Sequence, residues 1–334
     1  MKAVWYEKQG SAREVLNYGD MPTPQAGSGE VRIKLEASAV NPFDTYRRAG
    51  TADPMEYPRV IVNSDGAGIV DQIGPGAKRF NLGDRVWLYN GQRNGRAFGT
   101  AAEYIALDEN LVTLLPDDVS FAEGATLGVP GMTAWVCLFH AGPIEGQTVL
   151  VTGGAGAVGH YGIQLAKWGG ARVITTVSSP QKAKIASTAG ADLVIDYQKE
   201  DVAERVRKFS PKGVDRIVEV DFGGNIATTE QILARFSTVA VYASKGNLKP
   251  QVTVRVMTSK NVTIYCMQLP LTPMSLQRKA QAGVAEWLAA GRRIHMVAAQ
   301  FPLKETVEAH LAVEAGTKLG TVIVRLRVLS TGGI

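Results

Sequence analysis

The stretch Leu150–Ala166 reads LVTGGAGAVGHYGIQLA. An apolar run stops at Thr152, glycines stand at 153, 154, 156 and 159, and a helical pattern opens near Ala157. Gly154, Gly156 and Gly159 spell G-x-G-x-x-G between a strand-like run and a helix-like one. In that setting the first glycine permits a tight turn, the second lets the main chain approach a pyrophosphate, and the third lets helix and strand pack closely. The N–H groups at the helix start, near Ala157 and Val158, hold the anion with help from the helix dipole. The spacing alone is a weak signal. The strand-turn-helix context makes it a dinucleotide-binding turn.

Which dinucleotide depends on the end of the next strand. An NAD site usually places Asp or Glu there, about 20 residues on, to bind the ribose 2′-hydroxyl. Here the region reads ARVITTVSSPQKAK, and no Asp or Glu stands between Gly146 and Ala191. Ser178, Ser179 and Lys182 take that place. A carboxylate would repel a 2′-phosphate, whereas hydroxyls and an ammonium group bind it. Hydrogen bonds to a charged group contribute about 1.5–3 kcal/mol each, so two give a preference on the order of a hundredfold. The residues predict NADPH over NADH.

The turn comes late in the chain because a different domain precedes it. From Met1 to about Ala122, short strand-like runs such as EVRIKLEASAV and GDRVWLY alternate with turn segments such as GSGE and NGQRNGRAFGT. That pattern is β-rich and barrel-like. From about Glu123 to Tyr265, the runs TVLVTG, RVITTV, LVIDY and RIVEVD alternate with helical ones. This means βαβ units on a parallel sheet. After Cys266 follow a helix over SLQRKAQAGVAEWLAAG and a closing strand, GTVIVRL. The expected fold is α/β: a discontinuous β-rich domain over residues 1–123 and 267–334, and a doubly wound nucleotide domain over 124–266.

Bulk properties agree. The 334 residues exceed the roughly 250–300 that one core usually supports, so two domains are expected. No apolar run approaches the roughly 18 residues of a membrane span, and MKAVWYEKQGS lacks the apolar core of a signal peptide. The expectation is a soluble, cytoplasmic chain with no membrane partner. The net charge of +5 is scattered, with no run of five or more Lys or Arg. This argues against nucleic acid and suits an anionic cofactor. Cys137 and Cys266 lie in apolar runs and read as buried, inert thiols, too few for a disulfide framework. His140, His160, His295 and His310 are widely separated and read as structural.

Taken in order, SAVNPFDTYRRAG, DGAGIVDQIGPG with its GDRV, LGVPGMTAW and GGAGAVGHYGIQLAK resemble the medium-chain dehydrogenase/reductases. Within them they resemble the quinone oxidoreductase, or zeta-crystallin, branch. The resemblance covers nearly the whole chain, Lys2 to Leu326. It implies a GroES-like catalytic domain, a Rossmann domain, an active site in the cleft between them, and a homodimer or tetramer. In zinc-dependent members a cysteine stands where this chain has Asn41. A G-H-E motif stands where it has Asn63, Ser64 and Asp65, and the third ligand falls near Val129. Catalytic zinc needs about three Cys, His or carboxylate ligands. A structural zinc lobe needs four clustered cysteines, and the chain has two in all. Zinc-independent chemistry with no metal site is expected.

Without a Lewis acid a simple ketone is hard to reduce, because nothing strong holds the developing alkoxide. Quinones and activated enones accept hydride more readily, because conjugation spreads the charge. The resemblance implies that Asn41, Asp44 and Tyr46 are the catalytic group. Asn41 and Tyr46 would donate to a carbonyl oxygen, and Tyr46 is the first candidate proton donor. Arg47 and Arg48 follow and suit anionic or oxygen-rich substrates. The resemblance also implies that Thr133 lies near the nicotinamide and that Tyr197 stacks near the adenosine end. Ser244 and Lys245 follow a later strand at its carboxyl edge, where a doubly wound sheet collects ligands. Asn63 and Ala243 replace glycines usual in relatives. Arg93 and Arg96, in RNGRAFGT, are candidates for a covering loop.

The expected function is an NADPH-dependent quinone oxidoreductase working by one- or two-electron steps. An alternative keeps the cofactor but reduces the double bond of an enone or enoyl thioester, such as a 2-alkenal or crotonyl-CoA. A third reading, a non-catalytic NADPH- or RNA-binding crystallin-like protein, is opposed by the presence of Asn41, Asp44, Tyr46 and Thr133. TSKNVTIYCMQ is β-rich and stands where relatives expose an edge strand. Two such edges can pair across a two-fold axis, so a homodimer through residues near 261–268 is expected.

Overall fold

Burial alternates along Glu30–Ala37, with Val31, Ile33, Leu35 and Ala37 turned inward, and the strand ends at Val40 with both faces buried. It is the middle of the first of two compact units. The computed structural model describes residues 1–92, 95–291 and 293–326. One unit comprises Met1–Val129 with the chain from His295 onward, and the other comprises Pro130–Ile294.

The first unit begins with β1 (Lys2–Tyr6), α1 (Ala12–Val15), β2 (Asn17–Asp20), β3 (Glu30–Val40) and α2 (Pro42–Ala49). Then come β4 (Val60–Ile61), β5 (Asp65–Ile73), β6 (Arg85–Leu88), β7 (Tyr104–Asp108), β8 (Val112–Leu114) and α3 (Phe121–Gly124). The second unit contains α4 (Met132–Phe139), β9 (Thr148–Val151), α5 (Ala157–Trp168), β10 (Arg172–Val177), α6 (Pro180–Thr188), β11 (Leu193–Asp196) and α7 (Val202–Phe209). It continues with β12 (Val214–Glu219), α8 (Phe222–Ile232), β13 (Leu233–Val241), α9 (Val254–Lys260), β14 (Thr263–Cys266) and α10 (Met274–Ala289). The chain returns to the first unit with β15 (Val297–Pro302), α11 (Thr306–Glu314) and β16 (Thr321–Arg325).

In the first unit β2-β1-β4 form a small antiparallel sheet. The larger sheet runs β15-β16-β3-β5-β6-β8, with β7 also paired to β3. The return strand β16 lies antiparallel to β3, Val322 opposite Val40, which makes this unit discontinuous. In the second unit the order is β11-β10-β9-β12-β13-β14, all parallel. Both faces of such a sheet are covered, and all four residues of β9, TVLV, are buried. The order doubles back between β9 and β12, so ligands are expected at the carboxyl ends of those strands.

Four details depart from the sequence reading. The units divide after Val129 and after Ile294, not after residues 123 and 266. Helix α10 packs against α4, with Trp287 meeting Tyr161 and Gly283 lying under the Trp135 indole, and this keeps 267–294 with the second unit. The NPFDTYRRAG segment is a helix, α2, with Asn41 as N-cap, Pro42 at its first position and Gly50 at φ 78° closing it. Cys137 is buried, its thiol pushed up to about 12 by burial, but Cys266 is exposed because β14 is an edge strand. Arg48 is buried, donates to the Gly10 carbonyl and pairs with Glu314, so it holds α2 in place and does not face substrate.

Candidate active site

Two polar constellations emerge, one in each unit. In the second unit the glycine turn closes the gap between β9 and α5. Gly153 adopts φ 68°, a conformation that favours glycine. A β-carbon on Gly154 would lie 2.1 Å from Thr175 Oγ1, and one on Gly159 would lie 2.3 Å from the Gly153 carbonyl oxygen. Neither position can carry a side chain. Gly156 is the N-cap, and Ala157, Val158 and Gly159 form the first turn of α5, whose N–H groups have no partner within the helix. The result is a cradle of bare main chain at a positive helix end, suited to a diphosphate.

At the end of β10, Lys182 Nζ donates to Ser178 Oγ at 2.8 Å. Ser179 is the N-cap of α6, its hydroxyl accepting from the Lys182 N–H. The Tyr197 N–H bonds the Val177 carbonyl, so exposed Tyr197 stands beside Ser178. These four residues therefore come together at the carboxyl edge of β10 and β11. Thr133 is buried in the first turn of α4.

Ser244 and Lys245 follow β13 and are held from below. The Ser244 hydroxyl accepts from Gly223 N–H and donates to the Asn247 carbonyl, while the N–H groups of Lys245 and Gly246 donate to Asp221 Oδ1 at 2.8 and 2.9 Å. Burial works to raise the Asp221 carboxyl, but the amides of Gly246, Lys245 and Gly224 outweigh it and hold the carboxyl low. Nearby, where the strand order doubles back, Glu219 Oε1 lies 3.0 Å from the Thr152 hydroxyl and accepts from the Asp221 N–H and from Asn225. Burial pushes the Glu219 carboxyl up. Sequence reasoning missed both acids. The signal was present in VEVDFGG, acids at a strand end before paired glycines.

In the first unit, α2 carries Asn41, Asp44 and Tyr46. Asn41 and Asp44 are buried, and Tyr46 is half-buried with its ring edge-to-face on Phe43. Asp44 accepts from the Asn41 N–H at 2.8 Å and from Ser64 Oγ at 2.7 Å. Asn41 Nδ2 donates to Asp65 Oδ2 at 2.8 Å, and the same oxygen accepts the Val129 N–H at 2.7 Å. Asn63 tolerates φ 72° and uses its side chain to bond Ser38 and His310. Arg47 donates to the Gln92 carbonyl, and Arg96 is spent on the Gly91 and Ala106 carbonyls. Arg96 therefore anchors its loop. Arg93 lies outside the described residues.

The chain matches two family models: the alcohol dehydrogenase GroES-like domain over residues 27–117, and the zinc-binding dehydrogenase domain over residues 157–282. It is 31% identical to a quinone oxidoreductase of Pseudomonas aeruginosa over 93% of this chain and 95% of that one. It is 39% identical to a tomato (Solanum lycopersicum) 2-methylene-furan-3-one reductase, over 63% of this chain and 55% of the relative. A mycobacterial protein solved in complex with NADPH superposes with a TM-score of 0.83 at 31% identity, covering 98% of this chain and all of that one. The chain belongs to the medium-chain dehydrogenase/reductases, in their quinone oxidoreductase branch, and is an oxidoreductase acting on a small molecule.

Part of that superfamily holds zinc, and the residues here do not fit it. The positions that would supply ligands are an asparagine, a serine and a valine, and Asp65 Oδ2 is already bonded to two N–H groups. Among the described residues no three His, Cys, Asp or Glu side chains gather where they could hold a metal ion. No helix among them is long and apolar enough to cross a membrane.

Proposed function

We propose that the protein is an NADPH-dependent quinone reductase. The observation that carries the cofactor half is the Lys182–Ser178 pair at the end of β10, where no carboxylate stands. Gly154, Gly156 and Gly159 with the first turn of α5 hold the diphosphate. Ser178, Ser179 and Lys182 hold the 2′-phosphate, Tyr197 flanks the adenosine, and Thr133, Ser244 and Lys245 serve the nicotinamide half. The bound cofactor supplies reducing equivalents from its reduced nicotinamide.

The first unit provides the substrate groups. Asn41 and Tyr46 donate hydrogen bonds to a quinone carbonyl oxygen, and the Tyr46 hydroxyl is the proton source as negative charge builds there. Asp44 caps the start of α2, with Asn41 at its N-cap and Tyr46 in its second turn. Conjugation in the acceptor lets hydrogen bonds suffice.

A second reading, reduction of an activated enone double bond, is favoured by the similarity to the tomato furanone reductase. Steady-state NADPH oxidation with 1,4-naphthoquinone, 9,10-phenanthrenequinone, an alkyl enone and crotonyl-CoA separates the two. Quinone turnover well above the others supports the first reading, and negligible quinone turnover beside rapid enone or enoyl-CoA reduction replaces it with the second.

The same proposal includes a cytoplasmic location and a homodimer. Among the described residues no strand pairs with the outer side of β14, and Ile264, Leu271 and Met274 are exposed around it. Pairing two such edges removes open main-chain groups and apolar surface together.

A further inference from the structure

We propose that Asp65 is a positioning residue that aims Asn41 by gripping it and the main chain at Val129 with one carboxylate oxygen. The inference rests on the assignment of Asn41 to the substrate carbonyl.

Asp65 is wholly buried at the start of β5, and two backbone contacts fix its place. Its backbone pairs with Ala39 on β3, and its carbonyl accepts from Thr100 Oγ1 at 2.7 Å. Thr100 is in turn 2.7 Å from Ser38 Oγ, which accepts from Asn63, itself bonded to His310. From this fixed base Oδ2 receives two donors, Asn41 Nδ2 and the Val129 N–H. The chain at Gly128 closes so tightly on the carboxylate that a β-carbon there would lie 2.4 Å from Asp65 Oδ1. One side chain thus ties the N-cap of α2 to the last residue of the first unit's leading segment.

The consequence is chemical. An asparagine amide has two N–H bonds and one carbonyl oxygen, and either end can face a ligand. With one N–H committed to an acceptor-only carboxylate, the amide is locked nitrogen-inward. The second N–H and the oxygen then keep fixed directions, and a substrate oxygen meets an oriented donor. Without Asp65 the nitrogen end loses its acceptor, and only the capping contact between the Asn41 side chain and the Asp44 main chain still holds the amide.

The test is a double-mutant cycle in the full-length protein. It compares Asn41→Ala, Asp65→Ala and the double variant by kcat/KM for 9,10-phenanthrenequinone, with NADPH affinity and thermal midpoint measured on each. Asp65→Ala alone should lower kcat/KM by about 10- to 100-fold. NADPH affinity should stay within about threefold of wild type, because its proposed ligands lie in the other unit. In the Asn41→Ala background the Asp65→Ala change should have almost no further effect. Asp65→Asn, which can still present an oxygen to both donors, should recover most of the activity. Asn41→Asp serves if Asp65→Ala fails to fold. It sets two carboxylates against each other, so its turnover should rise as pH falls through 8 to 6, unlike wild type. Full additivity of the two alanine effects overturns the inference while leaving the Asn41 assignment intact, as does an Asn41→Asp profile that follows wild type. Full activity of Asn41→Ala overturns the Asn41 assignment itself, and this inference with it.

Discussion

The ammonium group of Lys182 and the hydroxyl of Ser178 are joined at 2.8 Å at the end of β10, four residues apart across the N-cap of α6. The hydrogen bond holds an ammonium group beside a hydroxyl, so the two can meet one phosphate together, and bonds to a charged group are the strong ones. Lys182→Glu should lower NADPH affinity by about a hundredfold or more, with NADH affinity little changed. Fluorescence titration of both cofactors checks this. Equal losses for the two would mean that Lys182 does not read the 2′-phosphate.

The glycine cradle makes a sharper steric prediction. A methyl on Gly154 meets Thr175 Oγ1 at 2.1 Å and Ile163 Cδ1 at 2.9 Å, so Gly154→Ala must displace the turn from β10. Overpacking of this kind costs about 1–3 kcal/mol. A lowered thermal midpoint and at least tenfold weaker NADPH binding are expected, and unchanged binding would show that the turn does not carry the diphosphate.

Tyr46→Phe removes the proposed proton source but keeps the ring against Phe43. General acid groups contribute about 10²–10⁴-fold, so kcat with quinones should fall by about a hundredfold. The KM for NADPH should not move. A variant with wild-type kcat would assign the proton to water.

Two buried histidines set the acid limit of the fold. Burial, together with the Arg48 guanidinium, lowers His310 to about 3, and burial lowers His160 to about 4. Above the unfolded value of about 6.5 both are neutral in either state and contribute no pH dependence. Below it the unfolded chain takes up protons that the fold refuses, so stability falls as pH drops, by about 1.4 kcal/mol per unit for each group. Urea unfolding between pH 7 and 5.5 should show the loss, and His310→Gln should remove about half of the slope. A midpoint independent of pH in this range contradicts the burial of both rings.

Much of this was readable beforehand because it rests on short-range rules. A G-x-G-x-x-G between a strand and a helix has one backbone solution, and the lack of a carboxylate near Ser178 can be seen by inspection. What escaped depends on tertiary partners. The amphipathic pattern of α10 announces a helix but not that it packs on α4, so the domain limits shifted. Nothing in the strand-like surroundings of NPFDTYRRAG announces α2, which Gly50 closes in the left-handed region. Arg48 looked available because nothing local reveals the opposing Glu314, which lies far along the chain. Cys266 lies in an apolar run, yet edge position in the sheet leaves it exposed. Asp65 appeared as one letter in a replaced motif, and its two-donor grip spans segments distant in sequence.

The edge strand gives the assembly prediction. Ile264→Lys places a charge in the middle of β14, a device that blocks edge pairing. Sedimentation at micromolar concentration should show a dimer for wild type and a monomer for the variant. A monomeric wild type would remove the proposed interface.

The central claim is that the chain uses a phosphate-tagged nicotinamide to reduce quinones with hydrogen-bond donors in place of a metal. The most direct measurement is the ratio of kcat/KM for NADPH to that for NADH, with 9,10-phenanthrenequinone as acceptor and a chelator present. The account predicts a ratio on the order of a hundred and turnover insensitive to the chelator. Equal efficiency with NADH, or turnover abolished by the chelator, would contradict it.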